Sequence, residues 1–385
     1  MSQRRIYLDN AATSWPKPET VNAAVDDYQR RNGAAAGRGA YREANEAERL
    51  VTNCRKQIAE LIGAESLERI AFTLNCTDSL NQAIHGLLRG GDHVVTSVCE
   101  HNSVLRPLRL LQEQRDVSVT YVPCDSAGYV DPTDIASAIR PQTKLIALVH
   151  ASNVTGAIQP VEAVGKLAAK HGIAFLLDAA QSLGSIEIDV RRIGCTLLAA
   201  PGHKGLLGPL GTGVLYIAPG MDERLVPLRQ GGTGTQSDED LQPTGLPARY
   251  ESGNLNVPGI AGLGAGVAEV ARRGVAAIGQ HERELAARVL PGLQETSGVT
   301  VYGPREAANR QAVISFNLAN FDPQELAGVL DSAFAIQVRA GLHCAPRMHA
   351  ALGTLPRGTV RASFGVFNTL DDADALIAAI RELAV

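Results

Sequence analysis

Five short apolar runs rich in β-branched residues, each separated from the next by an amphipathic stretch, constrain the fold of this chain more than any other feature. They are Ile70 to Leu74, His93 to Ser97, Ser118 to Val122, Leu145 to His150 and Ile173 to Leu177. Helical patterns lie between them at Ser79 to Leu88, Ser103 to Gln114, Pro132 to Ile139 and Val161 to His171. Such alternation predicts an α/β fold with a mainly parallel sheet covered by helices on both faces. Ligands of these sheets collect at the carboxyl ends of the strands. The polar residues after Leu74, Ser97 and Leu177 occupy those ends.

After this region the style changes. Gln230 to Asn256 is rich in Gly, Pro and Thr and reads as long ordered loops beside the site or a partner. A helical region runs from Pro258 to about Thr296, Ala312 to Leu318 and Thr359 to Val366 read as strands, and Asp371 to Leu383 as a terminal amphipathic helix. We therefore expect a large α/β domain over 16–257 and a smaller α+β domain built from 1–15 and 258–385. A chain of 385 residues with 45% hydrophobic content can bury cores of that size.

The formal charge of −4 and 4% aromatic content argue against a nucleic-acid partner. The basic start Met1-Ser2-Gln3-Arg4-Arg5 leads into Ile6-Tyr7-Leu8-Asp9-Asn10 without the apolar stretch of a signal peptide. No apolar run approaches the roughly 20 residues that span a bilayer. The expectation is a soluble, cytoplasmic protein without a membrane partner. The six cysteines, at 54, 76, 99, 124, 195 and 344, form no Cys-x-x-Cys pair, so neither a zinc site nor a disulfide framework is indicated. The bland reading of each is a reduced small hydrophobe.

Two motifs carry the chemistry. Asp178-Ala179-Ala180-Gln181 closes a buried strand, and Gly202-His203-Lys204-Gly205 opens a glycine-rich stretch. An ionised carboxylate at a buried strand end is costly unless a cation offsets it. A lysine that forms an imine and an acid that keeps a pyridine nitrogen protonated are what pyridoxal 5′-phosphate requires. The bland alternatives are a salt bridge or cap for Asp178 and a solvated lysine for Lys204, and the apolar run after Gly205 fits the latter poorly. Asn75-Cys76-Thr77-Asp78-Ser79, between a strand and a helix, offers N–H groups and the Thr77 hydroxyl to a phosphate; taken alone it is also an ordinary helix cap. His101, at another strand end, suits stacking on a flat cofactor and proton transfer, although a lone histidine there is more often a cap. Asn153 offers an amide to a substrate carboxylate or a ring oxygen, or merely forms a turn.

Tyr7-Leu8-Asp9-Asn10-Ala11-Ala12-Thr13, Glu100-His101-Asn102-Ser103, Asp178 to Gln181 and Gly202-His203-Lys204 resemble the class V PLP-dependent enzymes of fold type I. Arg339-Ala340-Gly341-Leu342-His343-Cys344-Ala345-Pro346, with Arg361-Ala362-Ser363 and Asn368-Thr369, narrows the resemblance to cysteine desulfurases and selenocysteine lyases. It covers nearly the whole chain, in order. The resemblance implies a large, mainly parallel sheet of the seven-stranded type and a smaller α+β C-terminal domain carrying the Cys344 loop. It implies Lys204 as the cofactor-linked lysine, Asp178 on the pyridine nitrogen, Gln181 on the ring oxygen and His101 stacked on the ring. Thr77 and His203 would bind phosphate, and Asn153 and Arg361 the carboxylate of an amino-acid substrate. Cys344 would be the nucleophile that takes sulfur as a persulfide, leaving alanine and passing the sulfur to an acceptor protein.

This chain departs from the family pattern at two places. Pro201 stands where a serine donor to phosphate is common, and Asn254, in Glu251-Ser252-Gly253-Asn254, stands where a threonine reaches the second subunit's cofactor. Asn254 retains a donor, so the homodimer that the resemblance implies keeps that contact available. A selenocysteine lyase, another class V lyase or aminotransferase, and a non-catalytic protein on the same fold stay open as alternatives.

Overall fold

The computed structural model describes residues 4–37 and 39–385. Its strands, in chain order, are β1 (Ile6–Tyr7), β2 (Ile70–Thr73), β3 (His93–Ser97), β4 (Ser118–Val122), β5 (Thr143–Val149), β6 (Ala174–Asp178), β7 (Leu197–Pro201), β8 (Gly213–Ile217), β9 (Val299–Tyr302), β10 (Val313–Leu318), β11 (Ile336–Gln337), β12 (Arg339–Gly341) and β13 (Thr359–Ser363). Seven of them form one sheet in the order β2-β8-β7-β6-β5-β3-β4, parallel except for β8, which runs against both β2 and β7. The mainly parallel sheet expected from the alternation is present, with helices on both faces.

Alternate side chains explain why these strands read as unbroken apolar runs. Along β5 and β6, Ile146, Leu148, Phe175 and Leu177 enter one hydrophobic layer, while Leu145, Ala147, Ala174 and Leu176 enter the other. The first layer is covered by helices Arg42–Leu61, Val161–His171 and Val257–Arg273, through Val51, Ile58, Val164 and Leu263. The second is covered by Cys76–Leu87 and Asn102–Arg115, through Leu80, Ile84, Leu108 and Leu111. A strand buried on both faces has no polar side to alternate with.

The helix after β2 begins at Cys76, earlier than the expected Ser79, because the Asn75 side chain caps it by accepting from Asp78 N. His101 caps Asn102–Arg115 by accepting from Ser103 N. The helical region after Pro258 is two helices, Val257–Arg273 and Val275–Gln294, separated at Gly274 (φ +84°). Residues 225–256 are irregular apart from a short turn of helix at Ala248–Tyr250. Their base is fastened by Arg55, buried in an ion pair with Glu251 at 2.7 Å, while Glu251 Oε1 also accepts from Phe72 N at 2.6 Å.

The C-terminal strands form a four-stranded antiparallel sheet, β12-β13-β10-β9, with its own core around Ile314, Phe316, Leu326 and Ile380. Its last helix, Leu370–Leu383, starts at a reciprocal capping box between Thr369 and Asp372. β1 pairs in parallel with β11, and Asp9 bridges to Ser363, so the first residues of the chain are stitched to its end. Among the described residues no helix is long and apolar enough to cross a membrane.

Candidate active site

The carboxyl ends of β5, β6 and β7 open onto a cavity of about 210 Å³ whose far wall is the C-terminal sheet. Asp178 ends β6 at the floor and is 2% exposed. Its Oδ1 accepts from Ala180 N at 2.9 Å and from the Cys76 thiol at 3.7 Å. Burial raises its pKa, and the Ala180 hydrogen bond and the charge of Lys204 pull the other way. No basic side chain forms an ion pair with it among the described residues. A buried acid without its own cation suits a ligand that supplies one.

Lys204 lies on the turn between β7 and β8, and burial lowers the pKa of its amine against the opposing pull of Cys76 and Asp178. Its loop is packed too closely for other residue types at its flanks. A Cβ on Gly202 would lie 2.1 Å from Thr212 Oγ1, and one on Gly205 would lie 2.3 Å from the Leu183 carbonyl. Lys17 Nζ fastens the same loop by donating to the His203 carbonyl and to Ser14 Oγ, both at 2.7 Å. Burial pulls the Lys17 pKa down to about 8. The His203 ring leaves Nδ1 buried without a hydrogen-bond partner.

On the next wall three side chains form a relay. Thr77 Oγ1 and Ser103 Oγ are 2.7 Å apart, and Ser103 Oγ lies 2.8 Å from His101 Nδ1. Because His101 Nδ1 accepts the Ser103 backbone N–H at 3.1 Å, the neutral ring carries its proton on Nε2. Burial, then the charges of Lys204, Arg339 and Arg361, pull the His101 pKa down to about 4, so the ring is neutral near pH 7.

The C-terminal sheet supplies a cation to the cavity. Arg361, on β13, is 1% exposed. Its guanidinium donates to Asp9 Oδ1 at 2.6 Å and to the Asn153 carbonyl at 3.1 Å, and its Nε is buried without a partner. Asn153 donates from Nδ2 to the His343 carbonyl at 2.6 Å, and its Oδ1 is also buried without a partner. Gln181 Nε2 donates to the Ala11 carbonyl at 3.0 Å. Thr77, His101, Asn153, Asp178, Gln181, His203, Lys204 and Arg361 all line this one cavity.

Cys344 sits outside it, in an adjoining groove of about 410 Å³ that shares Thr77, His101 and Ser103 with the cavity. The thiol is half-buried, with Arg339 Nη2 3.9 Å from Sγ. Its carbonyl accepts from Asn102 N at 2.7 Å. His343 and Cys344 both have positive φ, +46° and +59°, a strained conformation for residues with a Cβ. The sequence places the His343 imidazole beside the thiol. Instead it turns inward, with Nε2 3.1 Å from both the Thr359 carbonyl and hydroxyl, and the histidines lining Cys344's groove are His85 and His101. Asn254 is not brought to the cavity within one chain; it lines a separate cleft with Phe72, Arg229 and Glu251.

The donor set fits a planar cofactor with a ring nitrogen to protonate and a phosphate to bind. Asp178 supplies an acid for the ring, and the N–H groups at the start of helix Cys76–Leu87, the Thr77 hydroxyl and the unpartnered His203 Nδ1 supply groups for a phosphate. The model of the Aminotransferase class-V family matches residues 6–376. The chain belongs to that family. A relative from Methanothermobacter thermautotrophicus, described as a probable cysteine desulfurase, is 39% identical over 98% of this chain and 94% of its own. A Salmonella agona cysteine desulfurase is 32% identical over 98% and 93%. Among solved structures, the apo cysteine desulfurase of Thermococcus onnurineus superposes with a TM-score of 0.92 at 37% identity, over 99% of this chain and 94% of that one. A cysteine desulfurase from Escherichia coli gives 0.89 at 28%, over 99% and 96%. The fold expected from the sequence is therefore that of the class V relatives.

Several members of this class V site carry no role in the sequence reading. Asp9 and Arg339 lie inside motifs that the resemblance quotes, yet only the structure pairs Asp9 with Arg361 and sets Arg339 against Cys344. Lys17 had no sequence signal beyond a proline on either side, Pro16 and Pro18.

Proposed function

We propose that this chain is a pyridoxal 5′-phosphate-dependent L-cysteine desulfurase. The observation that supports it best is that Arg361 and Asn153 offer unpartnered polar atoms on one side of Lys204, while a half-exposed thiol, Cys344, stands in the groove next door. A guanidinium with a free N–H suits an α-carboxylate, Asn153 Nδ2 keeps a second N–H beside it, and a thiol at the rim suits attack on a sulfur.

Pyridoxal 5′-phosphate, when bound, supplies an electron-accepting ring that stabilises negative charge at the substrate Cα. Asp178 would hold the proton on its ring nitrogen, Gln181 would serve its ring oxygen, His101 its ring face, and Thr77 and His203 its phosphate. Lys204 would hold the cofactor, and its amine, freed when substrate binds, would take the Cα proton. Its lowered pKa makes the amine available as a base. Arg361 and Asn153 hold the carboxylate and so fix which face of Cα meets Lys204. Cys344 Sγ would then bond to the substrate sulfur as the Cβ–S bond breaks; Cβ keeps the electron pair and takes a proton, and Lys204 returns a proton to Cα, giving alanine and an enzyme persulfide. His101 Nε2 is placed to pass protons between cavity and groove.

The same reading divides the chain into a large unit, 16–257, and a small one, 1–15 with 258–385, supported by the pairing of β1 with β11. It makes the protein a cytoplasmic homodimer in which Asn254 serves the partner subunit's cofactor. Exposed Leu74, Leu210, Leu228 and Leu241, near or within the irregular segment that carries Asn254, supply apolar surface for that association. An acceptor protein removes the sulfur from Cys344. Incubation with L-cysteine followed by intact and peptide mass analysis tests the reading. The expected result is one added sulfur on Cys344 together with alanine; pyruvate in place of alanine, with Cys344 unmodified, would mean elimination and overturn it.

A further inference from the structure

Outside the cavity, two thiols meet at the carboxyl ends of neighbouring strands. β3 and β4 pair in parallel with Ser97 opposite Val122, and Val98 N continues the ladder by donating to the Val122 carbonyl at 3.0 Å. Cys99 and Cys124 each lie two residues beyond that Ser97–Val122 pair, so register sets them side by side. Cys124 packs against the hydrophobic layer that contains Cys99, and each thiol shifts the other's pKa. Neighbouring strands run about 4.8 Å apart, within the roughly 4.4–6.8 Å between Cα atoms that a disulfide spans. Both cysteines are reduced in this structure.

Their surroundings differ in a way that assigns roles. Cys99 is fully buried, and its sulfur lies 3.6 Å from the Gly128 carbonyl. Cys124 follows the edge strand of the sheet and is half-exposed, within reach of a small solute. The neighbouring Cys99 thiol holds the Cys124 thiol below its ordinary pKa, while Cys124 and burial push Cys99 well up. The exposed thiol is the readier thiolate, and the buried one is poised behind it.

We propose that Cys99 and Cys124 form a reversible oxidation site, with a hydroperoxide as oxidant, that acts on the active site through the segment Glu100–Asn102. Cys124 thiolate attacks one oxygen of hydrogen peroxide; the O–O bond breaks, the other oxygen leaves as water after taking a proton, and Cys124 becomes a sulfenic acid. Cys99 sulfur then attacks Cys124 sulfur; the S–O bond breaks and a second water leaves. Two thiols are oxidised by two electrons in all, and the peroxide is reduced to two waters.

The connection to the site is short. Glu100 Oε1 accepts from Ser97 Oγ at 2.6 Å and from Val149 N at 3.2 Å, and Ser97 Oγ accepts from Cys99 N at 3.0 Å. His101 follows and lines the cavity, and Asn102 N holds the Cys344 carbonyl. Drawing Cys99 into a bond with Cys124 displaces the peptide that carries all three. This coupling rests on the desulfurase reading, whereas the cross-link does not.

The two claims are tested separately. In the Cys344→Ser protein, which lacks the rim thiol, peroxide treatment followed by alkylation and non-reducing peptide mapping is expected to yield a Cys99–Cys124-linked peptide, lighter by two hydrogens and restored by dithiothreitol. Full alkylation of both cysteines after that exposure would overturn the pair. With Cys344 present, Cys124→Ser is expected to lose several-fold less cysteine-dependent alanine formation than the unaltered protein under the same peroxide exposure. Equal loss in the two proteins would overturn the coupling.

Discussion

The floor of the cavity and its rim are built on opposite plans. At the floor, Asp178 and Lys204 sit at the ends of adjacent parallel strands, and the glycines beside Lys204 leave no room for another side chain. At the rim, Cys344 is half-exposed on a loop of two successive residues with positive φ, tied across to the other wall by a single backbone hydrogen bond from Asn102. Strain of that kind costs on the order of 1–3 kcal/mol per residue and persists only where the surroundings over-determine it. On the roles proposed above, the groups that stay fixed while charge develops are set in the sheet, and the group that reaches a substrate and then an acceptor is set on a strained turn. The difference teaches that cofactor choice and reaction choice are separable in this fold.

The sharpest way to break that separation is to remove one member from each side. Lys204→Ala is expected to abolish both turnover and the visible absorbance of the bound imine; an unchanged spectrum would remove the floor's assignment. Cys344→Ser is expected to end alanine formation while leaving that spectrum intact, and a lost spectrum would show that rim and floor are not independent.

Two smaller effects sharpen the comparison. Asp9→Asn takes the carboxylate from Arg361, whose guanidinium is buried while Asp9 is partly exposed. Loss of a charged hydrogen bond of this kind costs about 1.5–3 kcal/mol. The expected result is a lower denaturant midpoint and a raised KM for cysteine, with the cofactor spectrum kept. A change in kcat alone would mean that Asp9 acts on the floor instead.

The smallest expected effect concerns Glu100. Burial raises its pKa to about 8, against the hydrogen bonds from Ser97 and Val149. An unfolded glutamate ionises near pH ~4.3. Between that value and about 8 the folded chain therefore holds a proton that the unfolded chain has released. Stability falls as pH rises through this window, because the folded state binds more protons. Glu100→Gln is expected to flatten that fall, leaving the variant the more stable of the two at the alkaline end. Thermal unfolding at several pH values checks it, and parallel slopes for the two proteins would show Glu100 ionised in the fold.

Much of the floor is legible in the sequence because its residues are local. Asp178 ends an apolar run and Lys204 is framed by glycines, so residue type and position already carry the chemistry. β7 and β8 are harder to read. Leu197-Leu198-Ala199-Ala200-Pro201 is apolar without β-branched residues, and Gly213 to Ile217 follows directly on a glycine-rich stretch, so neither is singled out as a strand. The two helices before β2, Glu19–Arg31 and Arg42–Leu61, are likewise not singled out; both have many charged residues, and the buried stripe emerges only against Val257–Arg273 and the sheet. The rim is illegible for a different reason. Pairs such as Asp9 with Arg361 and Asn153 with the His343 carbonyl join residues 352 and 190 positions apart, and no local pattern announces them. The same holds for the inward turn of His343, which proximity in sequence to Cys344 does not predict.

That long-range tie has a consequence for the order in which a growing chain matures. All strands of the seven-stranded sheet are complete once Ile217 has been made, whereas Arg361 follows only 144 residues later (361 − 217 = 144). At about 5–20 residues per second, translation takes roughly 7–30 s to cover that distance. Throughout it, β1 and Asp9, already made, have no β11 or Arg361 to join. The nascent protein can therefore assemble the sheet that carries Asp178 and Lys204 well before the Arg361 guanidinium is seated, and on the roles proposed above substrate recognition is the last property that synthesis confers.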